Sequence, residues 1–295
     1  MKQKIIVYQY GKVASSALVE SLNGLENVEA FQCHFLGEKA FSAILARLCK
    51  PATEDYFFDN SLGQLHANIR AYRSYLRRDS EGGEPCKILT VARHPFDWFR
   101  SAIIQEIEGH LPAFTRSLGL DEKDEVPDEQ IVTEGLQLLL HRILLAFQVI
   151  PNVDGFSVAR RLQLKESIEF KGQSDFDDFL FLLGRFLMPH FWFAKDFFYA
   201  TGIKMTDWES VDDGLWCARG SEESVFLIKY EFMQEAFSSF LSRAGLPSVA
   251  LQRVNEGSDK LFAEEVNAVF KSPTAQELKL RSVSAASEAF GHSQN

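Results

Sequence analysis

Apolar and polar positions follow two rhythms along this chain. Short apolar runs at residues 5–8, 28–33, 87–92 and 225–229 predict strands. Runs so short and so uniformly apolar suit a parallel sheet covered on both faces, with Glu29 and Gln32 making the second run the least regular. Between them apolar residues recur at helical spacing, as in residues 62–77 and 98–108. The first switch is the sharpest: the strand of residues 5–8 breaks at Gly11, and an apolar period (Ala17, Leu18, Leu22) then runs to Asn23-Gly24. Strands alternating with helices imply right-handed crossovers and an open, doubly wound α/β sheet. From about residue 105 to 198 the alternation stops and helices dominate. The strongest helical period there, 133–149, ends before Pro151, while residues 119–127 read as an acidic, solvated loop. This stretch is expected to be a helical insertion on a single domain of residues 1–283, leaving 284–295 as a polar tail.

Composition changes this picture in a few places. The 295 residues allow one large α/β domain or two small ones. The 26 phenylalanines, most of them between 156 and 270, call for a well-filled core in preference to a large apolar surface. A net charge of −10 repels nucleic acid and anionic lipid, so any anion site has to be a local pocket. Cys33, Cys49, Cys86 and Cys217 lack C-x-x-C spacing and read as reduced thiols, not as a zinc site or a disulfide framework. With no leader-like segment before the first strand and no long apolar span, a cytoplasmic protein without a membrane span is the expectation.

The candidate chemistry sits at strand ends. The turn after the first strand carries Lys12 and brings Ser15 and Ser16 to the start of a helix. Unsatisfied N–H groups and the positive dipole end at a helix N-terminus attract phosphate, and Lys12 adds charge. A second segment points the same way. The strand of residues 87–92 runs into Arg93-His94-Pro95, and Pro95 suits the first helical position. Arg93 therefore falls at the carboxyl end of a strand, the edge where open α/β sheets bind ligands. Ser101 lies eight residues further on, and a guanidinium with a hydroxyl can hold one phosphate jointly. Each residue also has a plainer reading: Lys12 as a solvated loop lysine, the serines as helix caps, Arg93 as an ion-pair partner. The other phosphate reader to weigh is the Walker loop of kinases and NTPases, G-x-x-x-x-G-K-[ST]. Val13 stands where that loop needs a magnesium-holding hydroxyl, and Ile6 where it needs its first glycine.

A strand ending in G-K-x-x-S-S, followed by a strand ending in R-x-P with a serine eight after the arginine, resembles the sulfotransferase family. QYGKVASSALVESL and CHFLG are similar to a bacterial subgroup of capsular polysaccharide synthesis proteins, and FLIKYEFM to the family's late core strand. The resemblance covers roughly residues 4–37, 87–108 and 225–260. It implies a three-layer, P-loop-like α/β fold with a central, mostly parallel sheet and a large helical insertion. It implies that Gly11, Lys12, Ser15 and Ser16 grip the 5′-phosphosulfate of 3′-phosphoadenosine-5′-phosphosulfate (PAPS), and that Arg93 and Ser101 grip its 3′-phosphate. Arg253 and Lys260, in the polar loop 252–260, would close over that same phosphate. The implied activity moves the sulfuryl group of PAPS, without a metal, to a hydroxyl or amine of a carbohydrate or small-molecule acceptor. Lys12 would stabilise the leaving phosphate.

Such a transfer needs a base for the acceptor's proton, ideally with a pKa near 7. His34 is the first candidate, because it follows the second strand and should emerge at the same carboxyl edge as Lys12. Some carbohydrate sulfotransferases hold a histidine or glutamate base near that point; a packed loop histidine is the plainer reading. His66, His94, Asp196 and Glu106 rank behind it. Arg160, Arg161 and Lys165 do not share one helix face and read as solvated surface, and Phe191-Trp192-Phe193 as core packing. Two other functions stay open: a P-loop kinase-like phosphotransferase using ATP and Mg²⁺, and a non-catalytic nucleotide-binding module in polysaccharide assembly.

Overall fold

Six strands form one sheet in the computed structural model, which describes residues 2–34, 36, 42, 68–76, 86–121, 124–150, 158–221, 224–252 and 260–282. In chain order they are β1 (Gln3–Tyr8), β2 (Val28–Cys33), β3 (Cys86–Ala92), β4 (Trp208–Asp212), β5 (Leu215–Ala218) and β6 (Val225–Lys229), lying side by side as β2-β1-β3-β6-β5-β4. β2, β1, β3 and β6 run parallel, in registers such as Ile5 with Ala30, Ile6 with Ile88 and Leu89 with Phe226. β4 and β5 add to β6 as an antiparallel hairpin. The fold is α/β with a mostly parallel sheet.

The parallel strands are those that the apolar runs predict, and burial explains why they read so clearly. Ile5, Ile6, Val7, Leu89 and Val91 are wholly buried, so both faces of β1 and β3 had to be apolar. The hairpin is not among the expected strands. β4 is largely exposed and lacks an apolar run, yet Asp213-Gly214 between β4 and β5 is a strong two-residue turn signal. Gly214 has a φ of +69°, and a Cβ there would come within 2.2 Å of the Phe232 side chain, so this turn requires glycine.

The chain divides into two compact units. The first, Met1–Arg93 with Phe191–Val254, holds the whole sheet, the helix α1 (Ser15–Asn23) between β1 and β2, and the helix Met233–Arg243. Phe226, Phe237 and Phe240 are wholly buried in it, with the Phe226 and Phe240 rings edge to face at 5.2 Å. Each such ring contributes on the order of 1.5–3 kcal/mol by leaving water. Trp192 and Phe193 are buried too, at the start of a π-helical turn, Trp192–Phe197, with Trp192 packed on Tyr8 at 4.7 Å and on Phe197 at 5.3 Å.

The second unit, His94–His190 with Asn255–Asn295, is helical among its described residues. Its helices are Pro95–Leu118, Asp128–Val149, Val158–Ser167, Gln173–Phe186, Ala263–Phe270 and Pro273–Arg281, besides a short turn from Met188. Pro95 takes the first helical position, and the helix kinks at Glu106, whose carboxylate pairs with Arg185. Residue 105, where the pattern turns wholly helical, thus lies inside a helix and beside its kink. Arg142 and Asp175, 5% and 3% exposed, form a two-pronged ion pair at 2.8 and 2.9 Å. The Glu169 carbonyl accepts from Arg142 at 2.9 Å, the Lys171 N–H donates to Asp175 at 2.8 Å, and the guanidinium lies 4.7 Å over Phe170. Phe99, Phe186 and Phe270 are buried in the core of this unit, with Phe99 packed on Phe186 at 5.2 Å and on Phe270 at 6.2 Å, while Phe181 stands 60% exposed. Among the described residues no helix is long and apolar enough to cross a membrane.

Candidate functional site at the carboxyl edge of the sheet

β1 pairs with β2 on one side and β3 on the other, so the chain order reverses beside β1. In open α/β sheets the crevice outside the strand ends at such a reversal is where ligands bind. The segments after β1, β2, β3 and β6 all emerge at this edge.

The segment after β1 is strained. Gly11, Lys12 and Ala14 have φ of +92°, +56° and +57°, and Lys12 and Ala14 are two of the three non-glycine residues with positive φ among the described residues. Left-handed backbone costs a side-chain-bearing residue about 1–2 kcal/mol, so something must hold it. The Gly11 N–H donates to Gln9 Oε1, and Arg93 Nη1 donates to the Lys12 carbonyl at 2.8 Å. Turns of this handedness let successive N–H groups converge on one side, the form in which backbone binds anions. Ala14 is the N-cap of α1, and no side chain among the described residues caps that helix. Ser15 and Ser16 therefore lie inside the first turn and do not act as caps. Ser15 Oγ is buried and accepts from Gln32 Nε2 at 2.9 Å, whereas Ser16 is half-exposed. Val13, after the lysine, is wholly buried.

Arg93 follows β3. Its main-chain N–H donates to the Tyr10 hydroxyl at 3.0 Å, and its guanidinium lies 4.1 Å over the Tyr230 ring. Burial holds the Tyr10 hydroxyl far above the ordinary phenol range, so it stays a neutral acceptor. Tyr10 is in turn packed on Trp192 at 5.3 Å and Phe193 at 5.9 Å, so the Phe191-Trp192-Phe193 cluster supports the site from the core. Lys229 ends β6 opposite Ala92 and lies near the Trp216 ring, at 5.5 Å; burial lowers its pKa.

His34 follows β2. Its N–H donates to Asn68 Oδ1 at 2.8 Å, and its Nδ1 lies 3.2 Å from Gln9 Nε2. Burial pushes its pKa below 6.5 and the Lys12 charge pushes the same way, against a hydrogen bond with the Gln9 backbone. The ring is thus neutral near pH 7, as a base has to be.

In the first unit the fold therefore gathers Gly11, Lys12, Ser15, Ser16, His34 and Arg93 at one sheet edge. Ser101 and Lys260 belong to the second unit: Ser101 is half-buried on the helix Pro95–Leu118, and Lys260 is exposed, its carbonyl accepting from Ala263 before the helix Ala263–Phe270. Arg253 and His66 lie outside the described residues. His94 caps the helix Pro95–Leu118, its Nδ1 accepting from the Phe96 N–H at 3.2 Å. Glu106 is engaged by Arg185 and His110, and Asp196 offers its backbone carbonyl to the Tyr8 hydroxyl at 3.2 Å. Arg160, Arg161 and Lys165 are exposed on the helix Val158–Ser167.

Gln9, Tyr10, Asn68 and Tyr230 were absent from the sequence-derived site. A buried glutamine directly after an apolar strand was the available signal for Gln9, and a position just past a strand end for Tyr230. Asn68 carried none. No family model, curated protein or solved structure matches the chain.

Proposed function

We propose that this chain is a PAPS-dependent sulfotransferase with a three-layer, P-loop-like architecture, acting on a hydroxyl or amine of a carbohydrate or small-molecule acceptor. The observation that carries the reading is the Arg93–Lys12 link across adjacent parallel strands at the chain reversal. It ties the two sequence motifs of the resemblance into one cationic edge on a chain of net charge −10. Val13 favours PAPS over ATP–Mg²⁺, since the position after the lysine is core and offers no hydroxyl. Ser101, Arg253 and Lys260 enter this reading through the sequence resemblance alone.

In the reaction the bond between sulfur and the 5′-phosphate oxygen breaks, and one between sulfur and the acceptor's oxygen or nitrogen forms. The acceptor's proton goes to a base, for which His34 is the candidate. As in phosphoryl transfer, positioning and charge neutralisation do most of the work. Negative charge grows on the departing phosphate, and in this reading Lys12 with the N–H groups of residues 11–16 meets it. The three described cysteines, Cys33, Cys86 and Cys217, are buried thiols outside any disulfide, which fits the cytoplasm as the proposed compartment.

Thermal melting with adenosine 3′,5′-bisphosphate, with and without Mg²⁺, tests the reading. Ligand at a hundred times its Kd should stabilise by about 2.7 kcal/mol, with no need for magnesium. Stabilisation by ATP–Mg²⁺ alone would make the chain a phosphotransferase. Bisphosphate binding without sulfate transfer to any acceptor would make it a non-catalytic module.

A further inference from the structure

Lys229 is a cation at the strand ends that the proposed reaction leaves unused. It closes β6 in register with Ala92, the residue before Arg93, and its own neighbour Tyr230 carries the Arg93 guanidinium. Its ammonium lies 5.5 Å from the centre of the Trp216 ring and 6.0 Å from that of Phe232. Both rings draw a cation by their negative faces, yet neither supplies a lone pair to its three N–H groups. Among the described residues the ammonium has no hydrogen bond and no ion pair. Burial lowers its pKa, and Glu231 opposes that with the smaller effect. The hairpin fixes the wall beside it. The Lys229 N–H donates to the Gly214 carbonyl at 2.8 Å, and Gly214 in turn packs against Phe232. Trp216 lies in β5 opposite Leu227, two residues before Lys229 and so on the same face of the sheet. Phe232 is 44% exposed, which leaves ring surface open near the ammonium. Asp212, Asp213 and Glu231 are exposed too, so this end of the hairpin has no broad attraction for polyanions and selection falls to Lys229.

We propose that Lys229, Trp216 and Phe232 form an acceptor subsite that takes a ring-borne carboxylate, the anion on the Lys229 ammonium and an apolar ring face against Phe232. A carboxylate suits this site better than a phosphate. One ammonium is a point charge matched to a monoanion, whereas a phosphate dianion is met by a guanidinium fork or by converging N–H groups. Partial burial strengthens the pair, because the arriving carboxylate meets a cation already half out of water. The aromatic surface makes the carrier matter. The C–H face of a sugar ring, or the face of an aromatic ring, covers Phe232 and leaves water in doing so. Among carbohydrates the carriers are uronic acids. Two strand spacings, about 10 Å, separate β6 from β1, whose end leads to Lys12. A carbohydrate acceptor anchored at Lys229 therefore meets the sulfuryl group with a hydroxyl of the ring next to the acidic one. The role as an acceptor site rests on the sulfotransferase reading; the affinity for the carboxylate does not.

Reductive ¹³C-methylation of the lysines places a probe on the ammonium itself and keeps its charge. The Lys229 signal in a ¹H–¹³C spectrum is assigned by its loss in Lys229→Gln. The ligands are diglucuronate, digalacturonate and dimannuronate, their neutral hexose counterparts, and 4-hydroxybenzoate, with affinities read by calorimetry on the unmodified protein. Expected is a shift of the Lys229 signal with at least one acid and none with the neutral sugars. Lys229→Gln should weaken that acid about ten- to hundredfold, the loss of one charge-assisted hydrogen bond. Lys229→Arg should keep most of the affinity, and Phe232→Ser, checked for folding by circular dichroism, should lose part of it. Binding of a diuronate identifies a uronic-acid acceptor and binding of 4-hydroxybenzoate alone an aromatic one; either supports the subsite. No shift with any acid, equal binding of the neutral sugars, or unchanged affinity in Lys229→Gln overturns it. Thermal melting with adenosine 3′,5′-bisphosphate reads the donor side separately. If the bisphosphate binds and no acid does, the subsite falls and the PAPS reading stands. If an acid binds and the bisphosphate does not, the carboxylate site stands and the PAPS reading falls. If neither binds, both fall.

Discussion

Arg93 and Arg142 are anchored alike and placed to different ends. Each donates to a main-chain carbonyl, that of Lys12 at 2.8 Å and of Glu169 at 2.9 Å. Each lies over a ring, Tyr230 at 4.1 Å and Phe170 at 4.7 Å, and each buries an Nε without a hydrogen-bond partner. The difference is the counter-ion. Arg142 grips Asp175 with both prongs inside the helical unit, and the pair neutralises itself. Among the described residues Arg93 pairs with no carboxylate, and it is half-buried at the edge where the strands end. Carbonyl and ring hold its guanidinium in place without spending its charge. The same anchoring makes a staple when a carboxylate completes it, and a cation ready for an anion when none does.

The largest expected effect tests the staple. Asp175→Ala leaves the buried Arg142 unpaired and should cost about 3–5 kcal/mol in urea denaturation. A loss near that of an exposed ion pair, under about 1 kcal/mol, would remove the distinction between the two arginines. Next is Lys12→Ala. If Lys12 meets charge that grows during transfer, turnover should fall by about 10²–10³-fold, well beyond any loss of nucleotide affinity. Equal losses in kcat and in affinity would make Lys12 a binding residue only.

Arg93→Ala sharpens the contrast from the other side. Losing a charge-assisted contact to phosphate should weaken binding of adenosine 3′,5′-bisphosphate by about 1.5–3 kcal/mol in calorimetry. Its effect on folding should be smaller than that of Asp175→Ala; the reverse order would make Arg93 the staple. The smallest effect concerns pH. His34 has a folded-state pKa below 6.5, so above that value it is neutral in both states and contributes nothing. As pH falls through 6.5 the unfolded chain takes the proton first, and stability drops until the lower, folded-state pKa is passed. His34→Gln should flatten that part of the acid slope, as read by melting temperature against pH. An unchanged slope would mean that His34 is not the depressed group.

Legibility in the sequence tracked how many faces an element buries. β1, β3 and β6 are covered on both sides, so their apolar runs stand out without context. The hairpin of β4 and β5 buries little of β4, and its Asp213-Gly214 turn was its clearest mark. Arg93, Lys12 and the serines were legible because each follows directly from a strand end or opens a helix. Gln9 and Asn68 were not, because their roles depend on partners 25 and 34 residues away, at His34.

By itself the sequence determined the parallel strands, the strand–turn–helix after β1 and the arginine at the end of β3. These are set by burial periodicity, glycine conformation and proline placement, all of which act within a few residues. Only the tertiary structure decided that β1 and β3 are neighbours at the chain reversal, that Arg93 ties down the Lys12 carbonyl and stacks on Tyr230, and that Gln9 bridges Gly11 and His34. It also decided which arginine meets a carboxylate. Pairing of strands and of charges joins residues far apart in the chain, and no local pattern records which partner each will find.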